Sequence, residues 1–246
     1  TPMNQHTEKR IVLAGASGAI GRLLAPLLRA NGWTVLGSTR SATKLPLLRE
    51  LGIDAVVADV FDAARLREIV REFRPDTVIH QLTDLPFALE ASQMQEALVR
   101  NARLRDEGTR NLVSAAIEAG AKRLIAQSIS FIYADGPLPH REDDPLIPDT
   151  HPVYGETAVA VRSLERQILD APAEGLVLRY GLFYGPGTGF DAAIAPGSVH
   201  VAAAAKAAEL AVTRGAPGIY NVAEDDGSVL TGKATQQLGW NPGWRG

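Results

Sequence analysis

Short apolar runs alternate along this chain with longer stretches whose apolar residues recur every three or four positions. The runs cover residues 11–14, 34–37, 55–58, 77–79, 124–126 and 176–178. They are rich in Val, Ile and Leu and mostly do not alternate with polar residues, as parallel strands buried on both faces require. Helical periodicity fills the gaps at 20–30, 63–73, 88–119 and 154–169. Gly32, Gly52 and Gly120 stand just past helical runs, where a left-handed C-cap is wanted, and Pro75 leads into the fourth strand. Repeated strand–helix–strand units take right-handed crossovers, so the pattern predicts an α/β, Rossmann-type doubly wound parallel sheet. After Arg179 the regularity weakens. An alanine-rich stretch at 199–212 reads as a helix packed closely on a neighbour, and 219–222 as a strand. The expected organisation is a dinucleotide-binding domain over 9–180 and a small, shortened C-terminal substrate lobe over 181–246 that is not an independent domain.

Composition narrows the classes. With 246 residues, 46% of them hydrophobic, the chain is long enough for one large core without staples. It has no cysteine, which removes disulfides and thiolate chemistry. A net charge of −3 offers no basic footprint for nucleic acid, and the apolar runs are far too short to span a membrane. Residues 1–10 are polar and lack the apolar core of a signal peptide. A soluble, cytoplasmic protein that meets small molecules is expected. His80, His140, His151 and His200 have no metal-site spacing, and no Gly-x-Ser-x-Gly elbow points to hydrolysis.

The candidate chemistry begins at Gly15-Ala-Ser-Gly18-Ala-Ile-Gly21, between the first strand and the first helix. Gly15 permits a tight turn, Gly18 lets backbone approach a pyrophosphate, and Gly21 lets the helix pack on the strand. The free amides and positive dipole end of that helix suit phosphate, so Ser17, Ala19 and Ile20 join the glycines as expected cofactor contacts. An acidic residue at the end of the second strand would bind a ribose hydroxyl. Ser38, Thr39 and Arg40 stand there instead, and a guanidinium with hydroxyls receives a 2′-phosphate that a carboxylate would repel. NADP is therefore the expected cofactor, with NAD as the alternative; Arg22 adds a second charge. Asp59 is placed either to accept from an adenine amino group or to cap the next helix, for which Asp62 is better placed. Val60, Gln81 and Leu82 complete the expected cofactor contacts.

These motifs resemble the extended short-chain dehydrogenase/reductases, the NAD-dependent epimerase/dehydratase family, over nearly the whole chain. Val78-Ile-His80 is similar to the family's fourth-strand motif, and Gly108-Thr-Arg-Asn-Leu-Val-Ser-Ala-Ala116 to its central helix. Glu142-Asp-Asp-Pro-Leu146 followed by Tyr154-Gly-Glu-Thr157 resembles the approach to the catalytic tyrosine. Leu178-Arg-Tyr-Gly-Leu-Phe-Tyr-Gly-Pro-Gly187 resembles the segment after the sixth strand. His200-Val201, Tyr220-Asn-Val222 and Leu238-Gly-Trp-Asn-Pro242 match C-terminal signposts.

The resemblance implies that Tyr154 transfers a proton, that a lysine four residues later supports it, and that a serine orients the substrate oxygen. Ala158 occupies the lysine position, and Arg162, Lys122 and Arg179 are the candidates to replace its charge. Ser128 is the favoured serine, as a substrate or cofactor contact or a structural hydroxyl. Ser130 lies on the same strand face. Arg105 stands where the family places an asparagine, with Asn101 one turn earlier. Between 189 and 197, and again between 226 and 232, the chain is shorter than the family pattern; it is either a reduced member or one with segments missing. The resemblance also implies a homodimer through the helices at 88–119 and 154–169. The function expected is an NAD(P)-dependent oxidoreductase, epimerase or dehydratase acting on a hydroxyl/carbonyl substrate, such as a nucleotide sugar or small metabolite. The alternative is a catalytically silent NADP(H) sensor.

Overall fold

The computed structural model describes residues 9–85 and 87–246. In chain order the elements are β1 (Arg10–Ala14), α1 (Ala19–Ala30), β2 (Thr34–Thr39), α2 (Leu45–Glu50), β3 (Asp54–Val57), α3 (Ala63–Phe73) and β4 (Thr77–His80). They continue with α4 (Met94–Arg103), α5 (Thr109–Glu118), β5 (Arg123–Ile129), α6 (Gly155–Asp170), β6 (Glu174–Tyr180) and β7 (Leu182–Tyr184). The last are β8 (Ser198–His200), α7 (Val201–Ala211), β9 (Gly218–Val222) and α8 (Gly232–Leu238).

Seven strands form one parallel sheet in the order β3-β2-β1-β4-β5-β6-β9, and β7 pairs with β8 beside it. Strand order reverses between β1 and β4. That is the switch point where α/β sheets open a crevice at the carboxyl ends of their strands. Ala14 pairs in register with Ser38 and with His80, which sets Gly15, Thr39 and Gln81 side by side at this edge.

The lack of alternation in the strands has a direct cause. Along β1, Ile11 and Leu13 enter the core layer that holds α1 and α7, while Val12 and Ala14 enter the opposite layer with α3 and α5. Both faces are dry, so both residue sets must be apolar. The alanine run of α7 is buried almost all round and packs against α1, where small side chains let two helix backbones approach closely. Trp240 closes that layer, its buried indole Nε1 donating to Ala203 O at 2.8 Å.

Some expected boundaries move. The helix expected over 88–119 starts at Met94, because Ala88 and Leu89 have left-handed backbones (φ 55° and 52°) that no α-helix accommodates. Short 3₁₀ turns precede it, and a π turn at Leu104–Gly108 separates α4 from α5. The helix expected over 199–212 begins at Val201, since Ser198–His200 forms β8 and His200 Nδ1 accepts from Ala202 N at 3.0 Å. The helical run before Gly52 is α2, whereas the pattern shows no sign of β7, β8 and α8. Residues 181–246 add β9 to the main sheet and α7 to its flank. No helix among the described residues is long and apolar enough to cross a membrane.

Asp62 caps α3, its Oδ1 accepting from Arg65 N at 3.1 Å. Replacing it by Ala is expected to lower stability by about 1 kcal/mol. Urea unfolding measures this, and an unmoved midpoint would mean the cap contributes nothing.

Candidate functional site

The turn from β1 into α1 is built so that only glycine fits at two of its positions. Gly15 has φ +82°, and a Cβ there would lie 2.5 Å from Gln81 O. At Gly21 a Cβ would lie 2.5 Å from Gly15 O, which fixes how tightly α1 sits on the turn. Gly18 caps α1 in an extended conformation, and a Cβ on it would meet only Gly15 O at 3.5 Å. No acidic side chain occupies the first turn of this 12-residue helix. Its free amides and positive dipole end therefore face an approachable space suited to an anion. The cradle fits a diphosphate.

The other expected cofactor residues gather at the same edge. Ser17 Oγ and Thr39 Oγ1 lie 3.1 Å apart, and Arg22 Nε donates to Ser17 O at 2.8 Å. Arg40 is exposed and reaches Asp84 at 3.3 Å, a carboxylate that Arg100 shares at 3.1 Å. Asp59 Oδ1 accepts from Phe61 N at 2.9 Å, and Val60 O accepts from Asn111 Nδ2. Gln81 is buried; its Nε2 donates to Tyr180 OH, and its Oε1 has no partner among the described residues. Leu82 N donates to His80 Nδ1 at 3.2 Å.

Beyond the glycine loop lies a cavity of about 310 Å³ that Gly18 and Ala19 line together with Ser128. The loop after β7 overhangs it, with Gly187 close to Ala19. Ser128 is held from behind. Its Oγ donates to Glu165 Oε2 at 2.7 Å, and Glu165 is gripped by Arg179 through Nε at 2.8 Å and Nη2 at 2.6 Å. Arg179 Nη1 also donates to Tyr133 OH and to Glu142 O, both at 2.9 Å. Tyr133 in turn donates to Asn221 Oδ1 on β9. With its proton on Glu165, Ser128 offers the cavity its lone pairs.

Tyr154 lies apart from this group. It precedes α6, is 46% exposed, packs against His151 with ring centroids 5.5 Å apart, and is not among the residues lining the cavity. Ala158, the lysine position, is fully buried in an apolar cluster with Ile129, Ile132 and Val161. Two of the three candidate replacements are engaged elsewhere and the third is remote. Arg179 is committed to Glu165, Arg162 donates to Ile147 O at 2.6 Å, and Lys122 precedes β5 at the opposite end of that strand from Ser128.

The cation that does line the cavity is Arg105, from the π turn, accompanied by Gln127 of β5. In the sequence Arg105 stands out only as a departure from the asparagine that the resemblance implies, and nothing there marks Gln127. The one available signal was the position of Arg105, three residues before Gly108-Thr109.

Comparisons with known proteins identify the family and the fold. The chain matches the profile of the NAD dependent epimerase/dehydratase family over residues 11–223. It is 45% identical over 183 residues to a 3-diazoavenalumate denitrifying reductase of Streptomyces sp, covering 74% of this chain and 58% of that protein. It is 31% identical over 187 residues to a dTDP-4-dehydrorhamnose reductase of Streptomyces griseus, covering 75% and 53%. The chain thus spans about half the length of the curated relatives it matches. A UDP-glucose 4-epimerase of Thermotoga maritima shares the fold at a TM-score of 0.77 and 19% identity, covering 96% of this chain and 94% of that one.

His80 supplies a pH test of the site's packing. Its Nδ1 accepts from Leu82 N, so Nε2 carries the hydrogen and donates to Thr109 Oγ1 at 2.9 Å. Burial first, and the Arg105 charge second, lower its pKa from 6.5 to about 4. Between those values the unfolded chain binds the extra proton, so this contribution is complete above 6.5 and is lost as pH falls toward 4. His80→Gln should therefore flatten the stability profile in this window, where the wild-type imidazole adds a slope of up to about 1.4 kcal/mol per pH unit. Urea unfolding from pH 7 to 4.5 checks it; parallel profiles for the two proteins would count against the assignment.

Proposed function

This chain belongs to the NAD-dependent epimerase/dehydratase family, and on that premise we propose that it binds NADP(H) in preference to NAD(H) and reduces a small metabolite. The carrying observation is that the glycine loop and Ser128 line one cavity, through Gly18 and Ala19. A bound nicotinamide supplies hydride chemistry. The chain's own residues do the rest. Gly15, Ser17, Gly18, Ala19, Ile20 and Gly21 receive the diphosphate, and Thr39 and Arg40 the 2′-phosphate. Asp59, Val60, Gln81 and Leu82 border the remainder of the dinucleotide.

Ser128, fixed by Glu165, orients the substrate, and Tyr154 is the proton donor. With Ala158 buried in an apolar cluster, no lysine stands behind Tyr154 to stabilise a phenolate. Reduction of a carbonyl consumes a proton and needs only the phenol, which favours it over oxidation. A largely apolar cavity of about 310 Å³ suits a small metabolite better than a nucleotide sugar. The relative at 45% identity is named as a reductase, which supports the same direction. Val99 on α4 and Val159 on α6 are left exposed, in keeping with a homodimer through these helices.

A second reading, a silent NADP(H) sensor, is favoured by the separation of Tyr154 from the cavity. Calorimetry should give NADPH an affinity about tenfold or more above that of NADH, with Arg40→Ala removing the difference. Equal affinities in the wild type would overturn the NADP assignment. Tyr154→Phe should lower turnover of an aryl-ketone and diazo-compound panel by about a hundredfold or more while leaving NADPH affinity intact. An unchanged rate would remove Tyr154 from the chemistry, and tight NADPH binding with no turnover in the wild type would favour the sensor.

A further inference from the structure

Two buried arginines lie near Ser128, Arg179 paired with it across the sheet and Arg105 lining the same cavity, and among the described residues only Arg179 has a carboxylate partner. Arg179, 3% exposed, has the Glu165 carboxylate on two of its nitrogens. Arg105, 9% exposed, makes no ion pair or hydrogen bond with any described residue. Gln127, equally buried and also lining the cavity, has no side-chain partner among the described residues either. Desolvation without a partner lowers the Arg105 pKa to about 10, so the guanidinium still carries its charge at neutral pH. Holding an uncompensated cation this deep is costly. Such a group is expected either to be replaced by an apolar residue or to meet an anion that enters the cavity.

The backbone presents Arg105 for this purpose. It lies in the π turn Leu104–Gly108, a wider turn that breaks the helical register between α4 and α5. Such bulges are frequent at functional sites. Neighbouring His80 is held neutral by its burial, so it neither competes for an anion nor adds to the charge.

We propose that Arg105, assisted by Gln127, receives the carboxylate of a small, largely apolar substrate. This rests on the reading of the cavity as the substrate site and narrows its substrate class. A guanidinium presents a planar fork that matches a carboxylate with two parallel hydrogen bonds. Gln127 brings two further amide donors. The charge count favours a monoanion, because Arg105 is the single charged residue among the described residues lining the cavity. A diphosphate would bring excess negative charge against that one cation. Leu85, Ile129, Phe131, Leu182, Phe183 and Phe190 supply the apolar lining that seats a hydrocarbon or aryl body.

Titration calorimetry on the NADP⁺-saturated protein tests this with cinnamate, its neutral amide cinnamamide, and UDP as the phosphate probe. Cinnamate should bind the wild type about tenfold or more tightly than cinnamamide. Arg105→Met should erase that difference while leaving the thermal shift produced by NADP⁺ unchanged. Equal binding of acid and amide by the wild type, or no binding of cinnamate, would overturn the proposal while cofactor binding stood. UDP binding more tightly than cinnamate, and losing affinity in Arg105→Met, would overturn it in favour of phosphate recognition. If NADP⁺ itself produces no shift, the cofactor reading fails, and the acid–amide comparison on the cofactor-free protein decides the role of Arg105 alone. That comparison needs no variant, so it stands even where Arg105→Met does not fold.

Discussion

The buried pair between Arg179 on β6 and Glu165 on α6 ties together the half of the molecule that follows β4. Its two charges are out of water, and each is satisfied several times over. Glu165 accepts from Arg179 twice and from Ser128 once, while Arg179 also reaches Tyr133 OH and Glu142 O. Through Tyr133 the network continues to Asn221 on β9. A buried pair of this kind adds little net stability over a well-packed apolar substitute, but loss of either partner strands a charge at a cost of about 3–5 kcal/mol. The network therefore acts chiefly on geometry. It holds β5, β6, β9 and α6 in one register and presents Ser128 to the cavity in a single orientation. It also explains why Arg179 cannot serve as a mobile cation for Tyr154.

The first half of the molecule depends on sterics instead. Gly15 and Gly21 exist where any side chain would strike backbone oxygen, so the first turn is pressed against β4 at Gln81 and α1 against the turn. Carbonyl oxygens have little room to yield, which makes this cradle stiffer than one lined by flexible side chains. The two halves meet at the cavity. Gly18 and Ala19 arrive from the rigid turn and Ser128 from the polar network, so neither half can shift without changing the space between them.

Sequence pattern made the first half readable because its physics is local. Doubly buried strands must be apolar on both faces, and a cradle that excludes Cβ atoms must spell glycine, so β1, α1, their loop and the parallel, doubly wound class of the sheet were all legible. Asp62 was recognised as a cap for the same reason. Legibility failed where contacts are long-range or elements short. Nothing in the spacing of Ser128, Glu165 and Arg179 announces that they meet across β5, α6 and β6. The left-handed backbones at Ala88 and Leu89 carry no glycine to signal them, so the helix start was placed too early. Elements of three to seven residues, such as β7, β8 and α8, are too brief to display a period. The π turn was equally invisible, since its five residues read as uninterrupted helix.

The burial of Ala158 has a structural consequence. Ala158 sits in a cluster with Ile129, Ile132 and Val161, and a lysine at that position would have to thread its ammonium past buried aliphatic groups. The packing around Ala158 under α6 is apolar, while the junction of α4 and α5 brings the Arg105 guanidinium to the cavity. A cation beside a tyrosine stabilises a phenolate, whereas a cation that lines the cavity, beside neutral His80 and with no ion pair among the described residues, acts on whatever enters. The same net charge then contributes to selecting and orienting a ligand rather than to activating the protein's own acid. That arrangement is compatible with a reaction that places small demands on proton abstraction and large demands on how an anionic ligand lies against the glycine loop.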